Sequence, residues 1–310
     1  MKRRVEFLIA GSPTDAFLSQ IAALKLSILA QSWDRWQPEI RCFLGGPVDW
    51  NAMQRWAPHL DGVDIELLAT SRFAEEGLFA QIERRVDAAS RNVGVHVLMD
   101  ADTWVAGDLE DLLRNLGDLP CVAGCIAHYG FPTGSGHARM DDWNTLASDV
   151  IRKSLSFEHE YALIDRDAPE SERKTPFYVN AGAVFITERA LTKIYRTYLP
   201  IRKTLARRLA NPYFAGQVAL ALSVAATNTS SIALPMRFNL PNDERAASLF
   251  PDEVNDVRIV HYLRTDHFDR HAIFASEANY LAFLDLDLGG IDRVFQHSVR
   301  QTLGATYPFR

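Results

Sequence analysis

Val93-Gly94-Val95-His96-Val97-Leu98-Met99-Asp100-Ala101-Asp102 is the stretch that decides the fold. From Val93 to Met99 it is almost continuously apolar, and it then ends on two carboxylates. A strand exposed on one face alternates apolar and polar residues, whereas a nearly unbroken apolar run reads as a strand covered on both faces. Strand side chains two apart project to one side, so Asp100 and Asp102 are expected to face each other at the carboxyl end of this strand. Two like charges that close are unfavourable unless something neutralises them. A divalent cation does so, and oxygen ligands suit magnesium or manganese. Ligands of open α/β sheets bind outside the carboxyl ends of strands, which is where the pair falls. As a bare triplet, Asp-Ala-Asp also fits two solvated turn residues, the second capping a helix near Gly107 to Leu113.

Working outward, Val5 to Ala10 reads as a first strand, and Gly11-Ser12-Pro13-Thr14-Asp15 as a loop with helix-start chemistry. Leu18, Ile21, Ala22, Leu26 and Leu29 give a helical stripe. Glu39 to Leu44 reads as a strand stopped by Gly45-Gly46-Pro47. A helix over Trp50 to Trp56, a strand over Asp64 to Leu68 and a long helix over Phe73 to Ser90 complete the approach. Strands thus alternate with helices over the first hundred residues, which argues for parallel β-α-β units in a layered α/β domain. Downstream, Tyr129 to Met140 and Asp165 to Pro176 read as long loops, of the kind that often act as lids. A helix is expected over Trp143 to Phe157, with later strands over Phe177 to Thr187 and Val257 to Leu263. The tail from Ala275 reads as mostly helical. One domain over residues 1–310, with a helical extension from about 270, is the expected organisation.

The 310 residues are 47% hydrophobic and 23% charged, ordinary for a globular chain. A net charge of −6 offers no global positive field for nucleic acid. One basic run, Lys193 to Arg208, reads as a solvated helical face broken at Pro200, or as a patch for an anionic acceptor or lipid headgroups at a membrane surface. Three cysteines, Cys42, Cys121 and Cys125, argue against a disulfide framework and suit a reducing compartment, and Cys121 and Cys125 read as small core residues. After Lys2-Arg3-Arg4 the apolar run is short and holds Glu6, unlike a signal peptide. Val218 to Ala226 is too short to span a bilayer. A cytoplasmic location is expected.

The run VLMDADTWVAGDLEDL from Val97 to Leu112 resembles the metal-binding segment of family-eight glycosyltransferases, the group that includes glycogenin and bacterial lipopolysaccharide galactosyl- and glucosyltransferases. Other segments follow in that family's order. Phe7 to Ser12 resembles its first strand and nucleotide loop, and Phe177 to Val184 its F-N-[ST]-G segment. Gln217 stands where the family has an Asp-Gln pair. Leu234-Pro235 with Phe238-Asn239 resembles its L-P-x-x-W-N, and Ile259 to Leu263 the strand with its third metal ligand. The resemblance implies the GT-A fold, a Rossmann-like nucleotide-binding layered domain with a mixed central sheet. It implies transfer of a sugar from a nucleoside diphosphate sugar, a uridine diphosphate sugar above all. It also implies Mn2+ (or Mg2+), retention of anomeric configuration, and a carbohydrate, lipid or protein acceptor. Carried onto this chain, it puts the metal on Asp100, Asp102 and His261. The donor falls to Ala10, Gly11, Ser12, Arg84, Asp100, Ala101, Asn180, Gly182, Arg264 and His267, with Arg85 as the alternate to Arg84. Gln217 and Asn180 stand near the reacting carbon, where an amide stabilises positive charge.

Taken alone, several of these residues have plainer readings. His261, at the end of an apolar strand, fits a hydrogen-bonded core histidine as well as a ligand. Arg84 fits an exposed helix charge, and Asn180 and Gly182 fit an ordinary turn. There are also departures from the family pattern. Gly216 stands where the aspartate before Gln217 is usual, Arg264 replaces a glycine, and His267 falls in the slot of a lysine that neutralises the leaving diphosphate. These departures motivate a second reading, a protein that binds a sugar nucleotide without turnover. A third, a sugar-phosphate nucleotidyltransferase, would want a Gly-rich, basic phosphate loop after the first strand. Ala10 to Asp15 has one glycine and no lysine or arginine.

Overall fold

The computed structural model describes residues 2–69, 80–87, 89, 92–117, 119–134 and 136–310, without the side chains of 80–82. The expected helix over Phe73 to Ser90 therefore lies partly outside the described residues; 80–87 of it is helical.

A seven-stranded mixed sheet forms the centre. Strands β1 (Arg3–Gly11), β2 (Trp36–Leu44), β3 (Val63–Leu67) and β4 (Val95–Asp100) run parallel, β1 lying between β2 and β4. The chain then leaves this sheet for a short strand, β5 (Thr103–Val105). It returns as β6 (Cys121–Ile126), β7 (Val179–Thr187) and β8 (Ser230–Ala233). β7 is antiparallel to both β4 and β6, and β8 is parallel to β6. The order across the sheet is β8-β6-β7-β4-β1-β2-β3.

Helices cover both faces, which is why β4 is apolar on both sides. Val95, Val97 and Met99 belong to a core shared with α1 (Asp15–Leu29) and with two helices near the C-terminus. Leu98 belongs to a second core on the opposite face, shared with α5 (Met140–Ile151), α6 (Glu188–Leu205) and α7 (Ala215–Thr227). Of the intervening helices, α2 spans Trp50–Trp56, α3 Ala80–Asp87 and α4 Glu110–Leu116. The two C-terminal helices, α8 (Glu277–Asp285) and α9 (Gly290–Leu303), place Phe283, Phe295 and Val299 in the first core. Cys42, Cys121 and Cys125 are unpaired and buried. No helix among the described residues is long and apolar enough to cross a membrane.

Two expectations shift. The helix expected from Trp143 starts at Met140, where the Arg139 backbone N–H donates to the Asp142 carboxylate at 2.8 Å. It stops where Arg152 turns left-handed at φ 53°. The break expected at Pro200 does not occur, because α6 runs through it from Glu188 to Leu205. A proline removes one backbone donor and crowds the preceding turn. The buried row Ile194, Tyr198, Ile201 and Leu205 holds the helix against the sheet on both sides of that position.

The element that positions the site is a second, three-stranded sheet. β9 (Leu240–Pro241) pairs parallel with β10 (Ile259–His261), and β10 pairs antiparallel with β5, setting His261 opposite Thr103. The Tyr262 backbone N–H then donates to the Asp102 carbonyl at 3.1 Å. The turn between β4 and β5, which holds the two aspartates, is thereby fastened to the strand that carries the histidine.

Candidate metal centre and its cavity

Asp100 is the last residue of β4 and Asp102 lies in the turn that follows. With His261 they present ligand atoms that all lie within 4.8 Å of one another. His261 Nε2 is 3.4 Å from Asp102 Oδ1. Ions with bonds of about 2.1 Å sit between ligand atoms about 3–4 Å apart, so small side-chain rotations close the three groups on one cation. Two carboxylates and an imidazole make a donor set fit for a divalent cation. Asp102 caps no helix, since its carboxylate meets His261 and the guanidinium of Arg270.

The floor beneath His261 comes from an irregularity in β7, whose pairing with β6 shifts register between Val179 and Val184. Asn180 Oδ1 accepts from the Gly182 backbone N–H at 2.8 Å and from Asn239 Nδ2 at 3.0 Å. A Cβ on Gly182 would stand 2.2 Å from His261 Nδ1 and 2.7 Å from Asn239 Oδ1. Only glycine lets the imidazole lie that close. The Asn180 and Gly182 of the sequence motif thus act locally as a cradle for the ring, and His261 Nδ1 makes no hydrogen bond.

The charges are tightly interdependent. Burial raises the Asp100 carboxyl above its ordinary range, Arg85 opposes the rise, and Asp102 adds to it. At Asp102 burial also works against the ionised form, but His261 and Arg270 outweigh it and bring the group down to about 2. His261 is raised, the pull of Asp102 overcoming burial. Burial lowers His128 to about 4, with His261 adding to the effect, so it is a neutral imidazole in the wall.

These residues open on a cavity of about 610 Å3. Of the residues singled out from sequence, Ala10, Gly11, Ser12, Asp100, Ala101, Asp102, Asn180, Gln217 and His261 line it. Gly216 lies beside Gln217 in the first turn of α7 and lines it too. Gly182 sits behind the wall, against His261. Arg84 lies outside the lining, held by Glu66 and Asp87 at 2.6 Å each. Its neighbour Arg85 lines the cavity and donates to the Met99 carbonyl at 2.7 Å and to Asp100 at 3.3 Å. Arg264 is bound to Asp243 and His267 to Asp292, each at 2.7 Å, and neither lines the cavity.

Sequence reading missed Arg270, Arg202, His128 and Tyr213, all of which line the cavity. For Arg202 a signal existed: it follows Tyr198 by four residues, on the stripe that includes Ile194, Ile201 and Leu205. The other three belong to no recognisable motif.

Comparison with solved structures gives the fold. The structure of the bifunctional glycosyltransferase WbbM aligns with a TM-score of 0.55 at 12% identity, covering 98% of this chain and 50% of that one. The chain thus spans about half the length of that protein. The galactosyltransferase LgtC, in complex with donor and acceptor sugar analogues, aligns with a TM-score of 0.50 at 13% identity, covering 84% and 87%. The fold is that of the GT-A glycosyltransferases. In sequence, no protein-family model matches this chain, and no curated protein does. On the GT-A sheet, the end of β4 and the bulged start of β7 meet at the cavity through Asp100 and Asn180.

Proposed function

We propose that this chain is a metal-dependent glycosyltransferase that uses a uridine diphosphate sugar, with Asp100, Asp102 and His261 as ligands of Mn2+. The observation that carries this reading is the convergence of those three groups, from β4, its turn and β10, on the mouth of one cavity of a GT-A fold. When bound, the ion would neutralise charge that grows on the leaving diphosphate. LgtC, solved with donor and acceptor sugar analogues, supports a donor and an acceptor sharing one cavity.

The chain's own residues have distinct tasks in this reading. Ala10, Gly11 and Ser12, at the end of β1, face the nucleotide with backbone and small side chains. Arg85, tied to Met99 and Asp100, holds the first carboxylate in place and adds positive charge beside it. Asn180 has its carbonyl committed twice, which leaves its amide donors for a sugar hydroxyl. Gln217 lies near the anomeric carbon, where its carbonyl oxygen stabilises developing positive charge without displacing the leaving group. This assignment agrees with the retention that the family resemblance implies. The acceptor enters past Tyr129, His137 and Tyr213.

The test is release of nucleoside diphosphate from a panel of nucleotide sugars with Mn2+, with and without chelator. Chelator-sensitive release from uridine diphosphate donors is expected. Turnover indifferent to chelator would remove the metal from the reading. Absence of both donor binding and release across the panel would remove the transferase.

A further inference from the structure

We infer that the donor's sugar carries a carboxylate, as a hexuronic acid does, and that Arg202 receives it. This rests on the transferase reading and specifies its substrate class.

One wall of the cavity is built by α6 and α7, through Tyr198, Arg202, Gly216, Gln217 and Leu220. Arg202 is only 6% exposed. Its Nη1 faces the carboxylate of Glu83 on α3, itself 1% exposed. A guanidinium has five N–H donors. Among the described residues Glu83 is the one ion-pair partner of Arg202, and Arg202 lines the cavity. Glu83 thus fixes the fork in place, as a positioning acid does for a binding group. Arg85 is a second buried guanidinium on the same side, and its Nε has no partner.

The acceptors facing these donors are few. Among the described residues, the carboxylates that line the cavity are Asp100 and Asp102, and both are already held by Arg85, His261 and Arg270. A neutral hexose offers hydroxyl protons and is best received by carboxylate or carbonyl oxygens. Gly216 lines the cavity and supplies no side chain for that purpose. A buried cation with unspent donors is costly. A ligand carboxylate removes the cost with charge-assisted bonds to the planar fork.

The test uses the full chain with Mn2+ and measures affinity for uridine diphosphate alone, for its glucose and galactose derivatives, and for the matching glucuronate and galacturonate. At least one uronate is expected to bind ten times or more tightly than its neutral counterpart. Arg202→Gln takes from the buried Glu83 its ion-pair cation, so the double variant Glu83→Gln/Arg202→Gln is the fair comparison. It is expected to erase the uronate preference and to keep the affinity for uridine diphosphate. Equal or tighter binding of neutral sugars overturns the inference. So does a double variant that loses uridine diphosphate itself by the same factor, because the arginine would then be reading phosphate. Failure of uridine diphosphate to bind at all would instead overturn the transferase reading, and this inference with it.

Discussion

The α-carbon of Gly182 is so near His261 that a methyl group on it would lie 2.2 Å from Nδ1 and 2.5 Å from Cε1 of the ring. Real carbon atoms do not approach that closely, so Gly182→Ala must push the imidazole away from Asp102 or force β7 to move. Overpacking of this kind typically costs about 1–3 kcal/mol. The variant should fold, melt a few degrees lower, and bind Mn2+ in the presence of uridine diphosphate at least tenfold more weakly. Calorimetric titration with the metal measures this directly. Unchanged metal affinity would mean that the ring relaxes freely and that His261 needs no cradle.

Asp102→Asn keeps the shape of the side chain and removes its charge. His261 and Arg270 both lose a carboxylate partner, and the group they hold down at about 2 contributes roughly 2–3 kcal/mol at neutral pH. The fold should survive, with a melting temperature lowered by a few degrees. Metal-dependent release of nucleoside diphosphate should fall by about 10²–10³, the range seen when one group that stabilises developing charge is removed. Turnover at the parental rate would show that the metal is not held here.

How much of this was legible in sequence depended on the distance over which each residue is fixed. The run from Val93 to Met99 announced a buried strand because helices cover both its faces, and Asp100 and Asp102 came with it. Asn180 and Gly182 were visible because their turn is local to β7. Arg84 and Arg85 were not separated by motif spacing alone. Successive helix residues differ by about 100° in direction, so the apolar pair Ile82 and Val86, four apart, lies nearer Arg85 than Arg84, a signal that the spacing argument passed over. Arg270 and Arg202 reach the cavity only through tertiary packing, Arg270 from a loop beyond β10 and Arg202 from a helix that looked like a solvated basic face. Pro200 misled for a related reason: its local preference was overridden by a buried row on each side of it.

The pair Arg84 and Arg85 makes a clean comparison. Arg84→Met breaks partly exposed ion pairs with Glu66 and Asp87, each contributing about 1 kcal/mol. It should leave kcat and KM within about twofold. Arg85→Met takes the guanidinium from Asp100 and the Met99 carbonyl. Donor turnover should drop about 100-fold or more, the scale for loss of a preorganised charge in a closed site. Steady-state kinetics on the same donor decides it. Equal effects would show that α3 acts only as a scaffold.

His267 lies beside the site in sequence but is fastened elsewhere. Its Nδ1 is 2.7 Å from Asp292 Oδ2, and Asn242 Nδ2 donates to the other oxygen of Asp292 at 2.8 Å. The hydrogen bond and then the charge of Asp292 raise His267 above its ordinary 6.5. A raised folded-state value means that the folded protein holds the proton more tightly than the unfolded chain. The stabilisation is complete below 6.5 and is lost as pH rises through the folded value. Melting curves of the parent and His267→Asn should differ most at low pH and converge as pH increases above 6.5. A gap independent of pH would mean that the imidazole contributes by packing alone.

With Arg264 held by Asp243 and His267 by Asp292, the loop after β10 has one further cation at the cavity, Arg270. Its guanidinium meets Asp102, while its backbone carbonyl accepts from Gln20 Nε2 at 3.0 Å, which anchors the loop to α1. A leaving diphosphate beside the metal would come within reach of this arginine, and the guanidinium fork matches phosphate oxygens well. Arg270→Gln should therefore weaken uridine diphosphate binding in the presence of Mn2+ by about tenfold, the loss of about one charge-assisted hydrogen bond. Arg264→Gln should leave that affinity unchanged, since its partner lies outside the cavity. Titration of both variants with the same nucleotide gives the comparison. If Arg264→Gln caused the larger loss, the loop would have to rearrange on binding and bring Arg264 inward in place of Arg270.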